Sequence, residues 1–332
     1  MSVRTVELSP WDPEPDLRIA TGLTSIPERD RRLHAPDRSL LLLDDGAMTA
    51  RLSCWWTATP ELEGRRIGAI GHYAAADQAS GTALLNAACD LLRREGCARA
   101  VGPMDGTTWR RYRFIVECGE EPAFALEPDN PDEWPQHWTA AGFGTLATYA
   151  SALNTTLGGT DERTDAAVRR LREEGITIRP LDATRGDAEL DAIFDLSLSA
   201  FSDNYLYSPI GREEFIAQYK AVMPYVQPRL VLLAERKNGL VGFMFALPDF
   251  LQALRGAAMD TVVLKTLAVD PSVRGLGLGG ALLDLAQREA HVLGFSRAIH
   301  ALFHEANLSG RISRRYAHPF RRYALYQRSL TA

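Results

Sequence analysis

One stretch, Leu267 to Gly280, limits most strongly what this chain can fold into: Leu-Ala-Val-Asp-Pro-Ser-Val-Arg-Gly-Leu-Gly-Leu-Gly-Gly. The run Thr261 to Val269 before and into it is β-branched and apolar enough for a buried strand, and Pro271 stops it. Glycines follow at 275, 277, 279 and 280, after which Ala281, Leu282, Leu285, Ala286 and Ala290 recur at helical spacing. A strand, a glycine loop and a helix in that order leave the unpaired amides of the first helical turn, the positive end of the helix dipole, beside a backbone with no Cβ to hold a ligand away. Such a construction binds an anion the size of a pyrophosphate. Two common phosphate loops are excluded. No Lys-Ser/Thr follows Gly280, and the glycines do not fall as Gly-x-Gly-x-x-Gly.

Arg274-x-x-Gly277-x-Gly279, preceded by Ala268-Val269-x-Pro271, resembles the acetyl-CoA signature of the GNAT superfamily of acetyl-CoA-dependent N-acetyltransferases. The resemblance covers roughly residues 176 to 330. It implies an α/β fold, a mixed and mostly antiparallel sheet flanked by helices, with acetyl-CoA as co-substrate, no metal, and acetyl transfer to an amine by direct attack on the thioester. Main chain at Leu267, Ala268 and Val269 would then meet pantetheine or the thioester oxygen, and Arg274, Gly275, Leu276, Gly277, Leu278, Gly279 and Gly280 would surround the pyrophosphate. The family often carries an Asn and, seven residues on, a Tyr that reaches the sulfur. Here Asn307 is present, the seventh residue on is Arg314, and the nearest tyrosine, Tyr316, is the expected proton donor. Tyr205 and Tyr207 fall where the family covers its acceptor pocket and are candidate substrate contacts, with core packing as the other reading. No base stands out: Lys265 and Thr266 lie where many relatives place Glu or His, and Asp260 and Glu235 lie nearby. A non-catalytic module that senses CoA or acyl-CoA is the alternative function.

At 332 residues the chain exceeds one ordinary core, so two domains are expected: 1–157, a connector over 158–175, and 176–332. In the second, strands are expected near Ile176–Pro180 and Ala298–Phe303, helices over Asp187–Phe201 and Arg212–Met223, and a hairpin across Lys237-Asn238-Gly239. Residues 1–38, rich in Pro, Asp and Arg, read as a lead-in with a helix near Leu17–Leu23. Strands over Ser39–Asp44, Ala47–Thr57 and Arg66–Tyr73, a helix capped by Ser80 and ending at Gly96, and a strand from Ala98 to Val101 repeat the order expected of the second domain. Gln78-x-x-Gly81-x-Ala83 formally matches the signature, and Trp138-Thr-Ala-Ala-Gly142-Phe143 resembles the family's Tyr-x-x-x-Gly-Phe with an indole that cannot transfer a proton. The first domain therefore reads as a divergent, non-catalytic copy. Trp109, Arg110, Tyr112 and Arg113, in the loop after Val101, either clamp an anionic or aromatic ligand or pin the loop to the domain surface.

A hydrophobic content of 46% and a net charge of −5 fit a globular protein, and no apolar run is long enough for a membrane span. The N-terminal sequence lacks a signal-peptide core, so a cytoplasmic protein is expected. Cys54, Cys89, Cys97 and Cys118 show no paired spacing and read as reduced core thiols. His300 and His304, four apart at a strand end, do not converge on a metal. The run Arg311, Arg314, Arg315, Arg321, Arg322 and Arg328 does not signal nucleic acid, because Lys220, Lys237 and Lys265 are the only lysines and arginine is the default cation. It could instead meet the CoA 3′-phosphate or an anionic substrate. The expected partner is a small-molecule or peptide amine acceptor, for a monomer or homodimer.

Overall fold

The computed structural model describes residues 3 to 331 apart from Glu14, Thr160 and Asn238, so the Asn of the expected Asn-Gly turn lies outside the described residues. The first half contains β1 (Val3–Leu8), β2 (Arg18–Ile19), α1 (Glu28–His34), β3 (Arg38–Asp44), β4 (Ala47–Trp55), β5 (Glu61–Leu62), β6 (Arg65–Ala75), α2 (Gln78–Arg94), β7 (Arg99–Gly102), β8 (Phe114–Glu117), α3 (Trp134–Ala140) and β9 (Gly144–Asn154). After α4 (Glu162–Glu173) come β10 (Thr177–Pro180), α5 (Gly186–Ala200), α6 (Arg212–Val222), β11 (Leu232–Arg236), β12 (Gly239–Pro248), α7 (Phe250–Leu254), β13 (Thr261–Val269), α8 (Leu278–Val292), β14 (Arg297–His304), α9 (Leu308–Ser313) and β15 (His318–Ser329).

The strands form one sheet in the order β1-β3-β4-β6-β7-β15-β9-β14-β13-β12-β11-β10. Read from either end, this order is the same once β1 is matched with β10, β3 with β11, β4 with β12, β6 with β13, β7 with β14 and β15 with β9. In each half the two matched strands that bracket the long helix, β6 with β7 and β13 with β14, are the parallel neighbours on this path. The repeat expected from sequence is therefore present as a pseudo-twofold sheet.

The halves trade their last strands. β9, which ends the first half, pairs with β14 of the second through Ala298↔Asn154 to His304↔Tyr149. β15 returns to pair with β7 through Tyr326↔Gly102 to Ser329↔Arg99, and with β9 along Leu153↔His318 to Gly144↔Gln327. Backbone hydrogen bonding thus runs without a break across the boundary expected near residue 157.

Alternating side chains build the layers. Leu40, Leu42, Leu52 and Ile70 face the apolar stripe of α2 at Leu84, Leu85, Ala88 and Leu92, and Met244, Ala246, Val262 and Leu264 face Ala281, Leu282 and Ala286 of α8. On the other face of the second half, Phe243, Phe245 and Val263 pack on α5 and α6 through Phe194 and Phe215.

The lead-in is a correction. β1 pairs with β3 along its whole length, because Val6 and Leu8 pack on Leu41, Leu43 and Met48. The helix expected at Leu17–Leu23 is replaced by the short strand β2 beside β4, and the helix falls later, at α1. The cap of α2 is Asp77, whose carboxylate accepts from the Ser80 amide, rather than Ser80 itself. Three cysteines are buried as expected, while Cys118 is exposed.

Candidate functional site

Two parallel strands that part company open the site. β13 pairs with β14 only from Thr261↔Arg297 to Leu264↔His300. Beyond these residues β14 turns away: Leu302 takes a left-handed backbone conformation (φ 60°), its amide donates to Ser151 Oγ, and its carbonyl accepts from Arg113 Nη1. On its other side β13 carries a register shift against β12 between Phe245 and Ala246, opposite Lys265. The backbone of Lys265 to Val269 consequently faces a cleft on the β14 side, with no strand partner there among the described residues.

At the end of β13 the glycine loop turns into α8. Gly277 is the cap, at φ 87°, and no side chain caps the amides that follow. That leaves the first-turn N–H groups of α8 available to an anion. A Cβ on Gly279 would lie 3.6–3.7 Å from Ile312, Val269 and Leu267, so the loop packs directly against the cleft walls. Arg315 reaches over Gly280, within 3.0 Å of where a Cβ there would sit. Arg274 points the other way, to Asp203 at 3.0 Å, and so braces the segment after α5.

The same place in the first half is filled. The α2 cap carries the carboxylate of Asp77, 2.8 Å from the Ser80 amide. Trp138, fully buried, stacks with Phe114, Tyr73 and Phe143, and a Cβ on Gly102 at the end of β7 would meet its ring at 2.4 Å. A carboxylate stands at the helix N-terminus and an aromatic plug stands beside β7. One copy is open to an anion and the other is closed.

The open cleft continues into a cavity of about 1020 Å³ between the halves. Leu267, Asn307, Tyr205 and Tyr207, all candidates from sequence, line it. Tyr205 stacks edge-on against His304, and the Tyr207 hydroxyl donates to the Leu198 carbonyl at 3.3 Å. Trp109, Arg110, Tyr112 and Arg113 also line it, and most of their polar contacts tie the loop down. The Trp109 indole donates to Ser208 O at 2.8 Å, and Arg110 forms a two-pronged pair with Glu214 at 2.6 and 2.9 Å. The Arg113 guanidinium lies between the rings of Tyr112 and Tyr149, 4.0 and 4.4 Å from their centroids.

The expected proton donor is elsewhere. Tyr316 does not line this cavity: its hydroxyl donates to Asp161 Oδ2 at 2.8 Å, beside a smaller pocket formed with Asp284 and Arg288. Burial, reinforced by that carboxylate, pushes its pKa up to about 12. That placement has a local cause, since Asp161 caps α4 and α4 lies on α8. Sequence spacing within the α9 segment carries no trace of this partner.

Two titratable residues, Lys265 and Tyr219, do line the cavity. Lys265 is half-buried in the cleft mouth with its Nζ 2.9 Å from the Leu126 carbonyl, and desolvation together with the Arg113 charge pushes its pKa down to about 7. Tyr219 of α6, half-buried beside Thr266 with which it shares a hydrogen bond, has its hydroxyl pushed up to about 12 by desolvation. The sequence marked Lys265 only as standing where many relatives place a Glu or His as the base, and Tyr219 gave no signal beyond its place on an amphipathic helix.

The remaining arginines are largely spoken for. Arg321 is buried against Glu127 at 2.5 Å, Arg322 pairs with Glu117 and Glu305, and Arg328 bonds Asn86 and the Ala141 carbonyl. Of the run, Arg315 stands at the loop. His300 is enclosed by Ser313 and Gln287, which accounts for it as a buried neutral ring, pushed down to about 3 by burial.

An uncapped helix after a strand that splays from its parallel neighbour is the arrangement the signature implied, and residues 227–328 match the acetyltransferase (GNAT) domain family. This segment is a GNAT domain. The GNAT fold extends over the rest of the chain in solved structures. A conserved protein of unknown function from Enterococcus faecalis V583, described as a probable N-acyltransferase, superposes with a TM-score of 0.57 at 11% identity, covering 99% of this chain and 73% of that one. A GCN5-related N-acetyltransferase from Sphaerobacter thermophilus gives 0.50 at 14% identity, covering 89% and 81%. Among curated proteins, a bacterial ceramide synthase of Caulobacter vibrioides is 26% identical over 213 residues, 64% of this chain and 55% of that protein. The match spans about half the length of that relative. These likenesses give residues 227–328 a GNAT domain and the chain a GNAT fold.

Proposed function

We propose that the protein is an acyl-CoA-dependent N-acyltransferase whose acceptor is an amphiphilic amine and whose acyl group is longer than acetyl. The observation that carries this is the cavity: about 1020 Å³, continuous with the β13–β14 cleft, lined by aromatic and apolar side chains interleaved with charged and polar ones, as an amphiphilic ligand requires. That is at the top of the range of roughly 300–1,000 Å³ found for drug-sized ligands and more than an acetyl group with a small amine needs. The ceramide synthase similarity points the same way, since a ceramide is the amide of a long-chain amino alcohol.

In this reading the uncapped turn at Gly277 to Gly280, with Arg315, holds the diphosphate, and the amides of β13 past Lys265 face the pantetheine arm and the acyl oxygen. A bound acyl-CoA supplies an acyl carbon activated as a thioester and leaves as the free thiol. Lys265, neutral in about half the molecules near pH 7, takes the proton the amine gives up and returns it to the departing thiolate. Tyr205 and Tyr207 sit over the acceptor end, and the closed first half forms its far wall. The plug of Trp138 and Asp77 supports the reading of that half as non-catalytic.

The test is a chain-length series. Protein incubated with a long-chain amino alcohol and acyl-CoAs from acetyl to long-chain should release free thiol and form the amide, identified by mass spectrometry, with kcat/KM rising as the acyl chain lengthens. Thiol release with acetyl-CoA alone would reject the chain-length assignment. No amide with any donor would reject N-acyl transfer.

A further inference from the structure

Outside the acyl-CoA cleft, on the first-half wall of the cavity, three metal-ligating groups converge. His34 ends α1, His72 lies in β6 and Asp105 follows β7, and one donor atom from each lies within 4.8 Å of the other two. We propose that His34, His72 and Asp105 form a binding site for one divalent transition-metal cation of the zinc class, with its open coordination position turned to the cavity.

The donors are built into place. His34 Nδ1 and His72 Nε2 are 2.8 Å apart and share one hydrogen in the metal-free pair. Tetrahedral zinc with bonds of about 2.0–2.1 Å sets its ligand nitrogens about 3.3 Å apart, so the rings separate by roughly half an ångström and the metal replaces that hydrogen. With His72 Nε2 as ligand, its Nδ1–H donates to Ser53 Oγ at 3.0 Å, and Ser53 in turn meets Ser39 at 2.8 Å. Such an outer partner fixes the tautomer and ring of a metal-binding histidine. The Asp105 carboxylate is aimed in the same way: Oδ1 accepts the His72 amide at 2.6 Å, leaving Oδ2 at 3.9 Å from His72 Nε2.

The backbone is held for this as well. His72 sits mid-strand at φ 49°, a conformation rare for a residue with a Cβ, and Arg51 grips its carbonyl. The His34 carbonyl accepts from the Trp55 indole at 2.8 Å and from Arg110 at 3.1 Å. His34 and His72 are half-buried and Asp105 is buried, so the three donors are partly shielded from water. Arg110 is close, but its charge is matched by Glu214. Two imidazoles and one carboxylate suit zinc and its neighbours rather than magnesium or calcium, and three protein ligands leave a position for water or an acceptor oxygen or nitrogen.

The test uses the untagged full chain, stripped with a chelator and dialysed. Equilibrium dialysis against Zn2+ should retain one equivalent per chain, Co2+ should give the visible absorption of a four-coordinate nitrogen and oxygen site, and Mg2+ should not be retained. His72→Ala and Asp105→Asn should each weaken Zn2+ binding at least tenfold. His34→Gln, at a helix end and not fully buried, keeps the fold as judged by melting temperature and should do the same. Failure of the native chain to retain Zn2+ at micromolar concentration would overturn the proposal, as would undiminished binding in His34→Gln and His72→Ala, or equal retention of Mg2+. Since the readout is bound metal, the outcome is independent of the acyl-transfer reading.

Discussion

Lys265 shows how one residue can be costly to the fold and useful to the site. Its folded-state pKa of about 7 lies below its ordinary value of 10.5, so between those values the unfolded chain holds a proton that the folded chain has released. Stability attributable to this residue therefore rises with pH across that window, and below pH 7 the full penalty of a desolvated ammonium is present. Lys265→Met keeps the volume and removes the charge. It is expected to raise the melting temperature most at pH 6, by less at pH 9, and to lower kcat at least a hundredfold. A melting curve shifted equally at both pH values would show that the lysine is not desolvated as a charge. Gly280 allows a complementary experiment on binding. In the first turn of α8 an added side chain meets only the flexible end of Arg315, and glutamate there favours the helix while occupying the anion site. Gly280→Glu should hold the melting temperature and weaken CoA binding tenfold or more by titration calorimetry. What sequence revealed at this scale was local: the glycine loop opens α8, and Asn307, Tyr205 and Tyr207 line the cavity. What it concealed came from distant partners. Asp161 takes the hydrogen of Tyr316, and His34, His72 and Asp105 belong to no spaced motif because three separate elements bring them together.

Among the elements, β15 does the most to join the halves, and its hold is electrostatic as well as hydrogen-bonded. Arg321 and Glu127 are each 1% exposed and 2.5 Å apart, Arg321 also donates to the carbonyls of Cys118 and Glu121, and Tyr323 donates to Glu127 at 2.5 Å. Removing one member of such a buried pair strands the other. Glu127→Ala should cost about 3–5 kcal/mol in urea unfolding, against under 1 kcal/mol for Glu63→Ala at the exposed Arg99 pair. Equal small losses at both sites would contradict the burial of the Arg321 pair. Strands and long helices were legible because their periodicity is local: α2, α5, α6 and α8 fall where apolar spacing placed them. The lead-in was not. β1 has only Val6 and Leu8 to bury, and its pairing with β3 depends on a sheet edge that no window of nearby residues contains.

Across the whole molecule, the exchange of β9 and β15 ties a repeat that sequence could detect to a topology that it could not. The similarity between halves is written in the order of strands and in Gln78-x-x-Gly81-x-Ala83, whereas the pairing of residue 154 with residue 298 depends on which chain segments meet. One consequence is cooperativity. Residues 1–157 alone would lack β15 and leave β7 as an open edge, and residues 176–332 alone would leave β14 unpaired by β9. The full chain should melt in one calorimetric transition with both halves lost together, and two resolved transitions would contradict the shared sheet. A second consequence is functional asymmetry. The molecule has two helices of matching position, one capped by Asp77 and plugged by Trp138, the other uncapped beside a splayed strand pair. The central claim is that acyl-CoA is held by the second alone. Titration calorimetry of the native chain with CoA tests it most directly: the prediction is one molecule bound per chain, lost in Gly280→Glu, while two per chain, or one that survives Gly280→Glu unchanged, would contradict it.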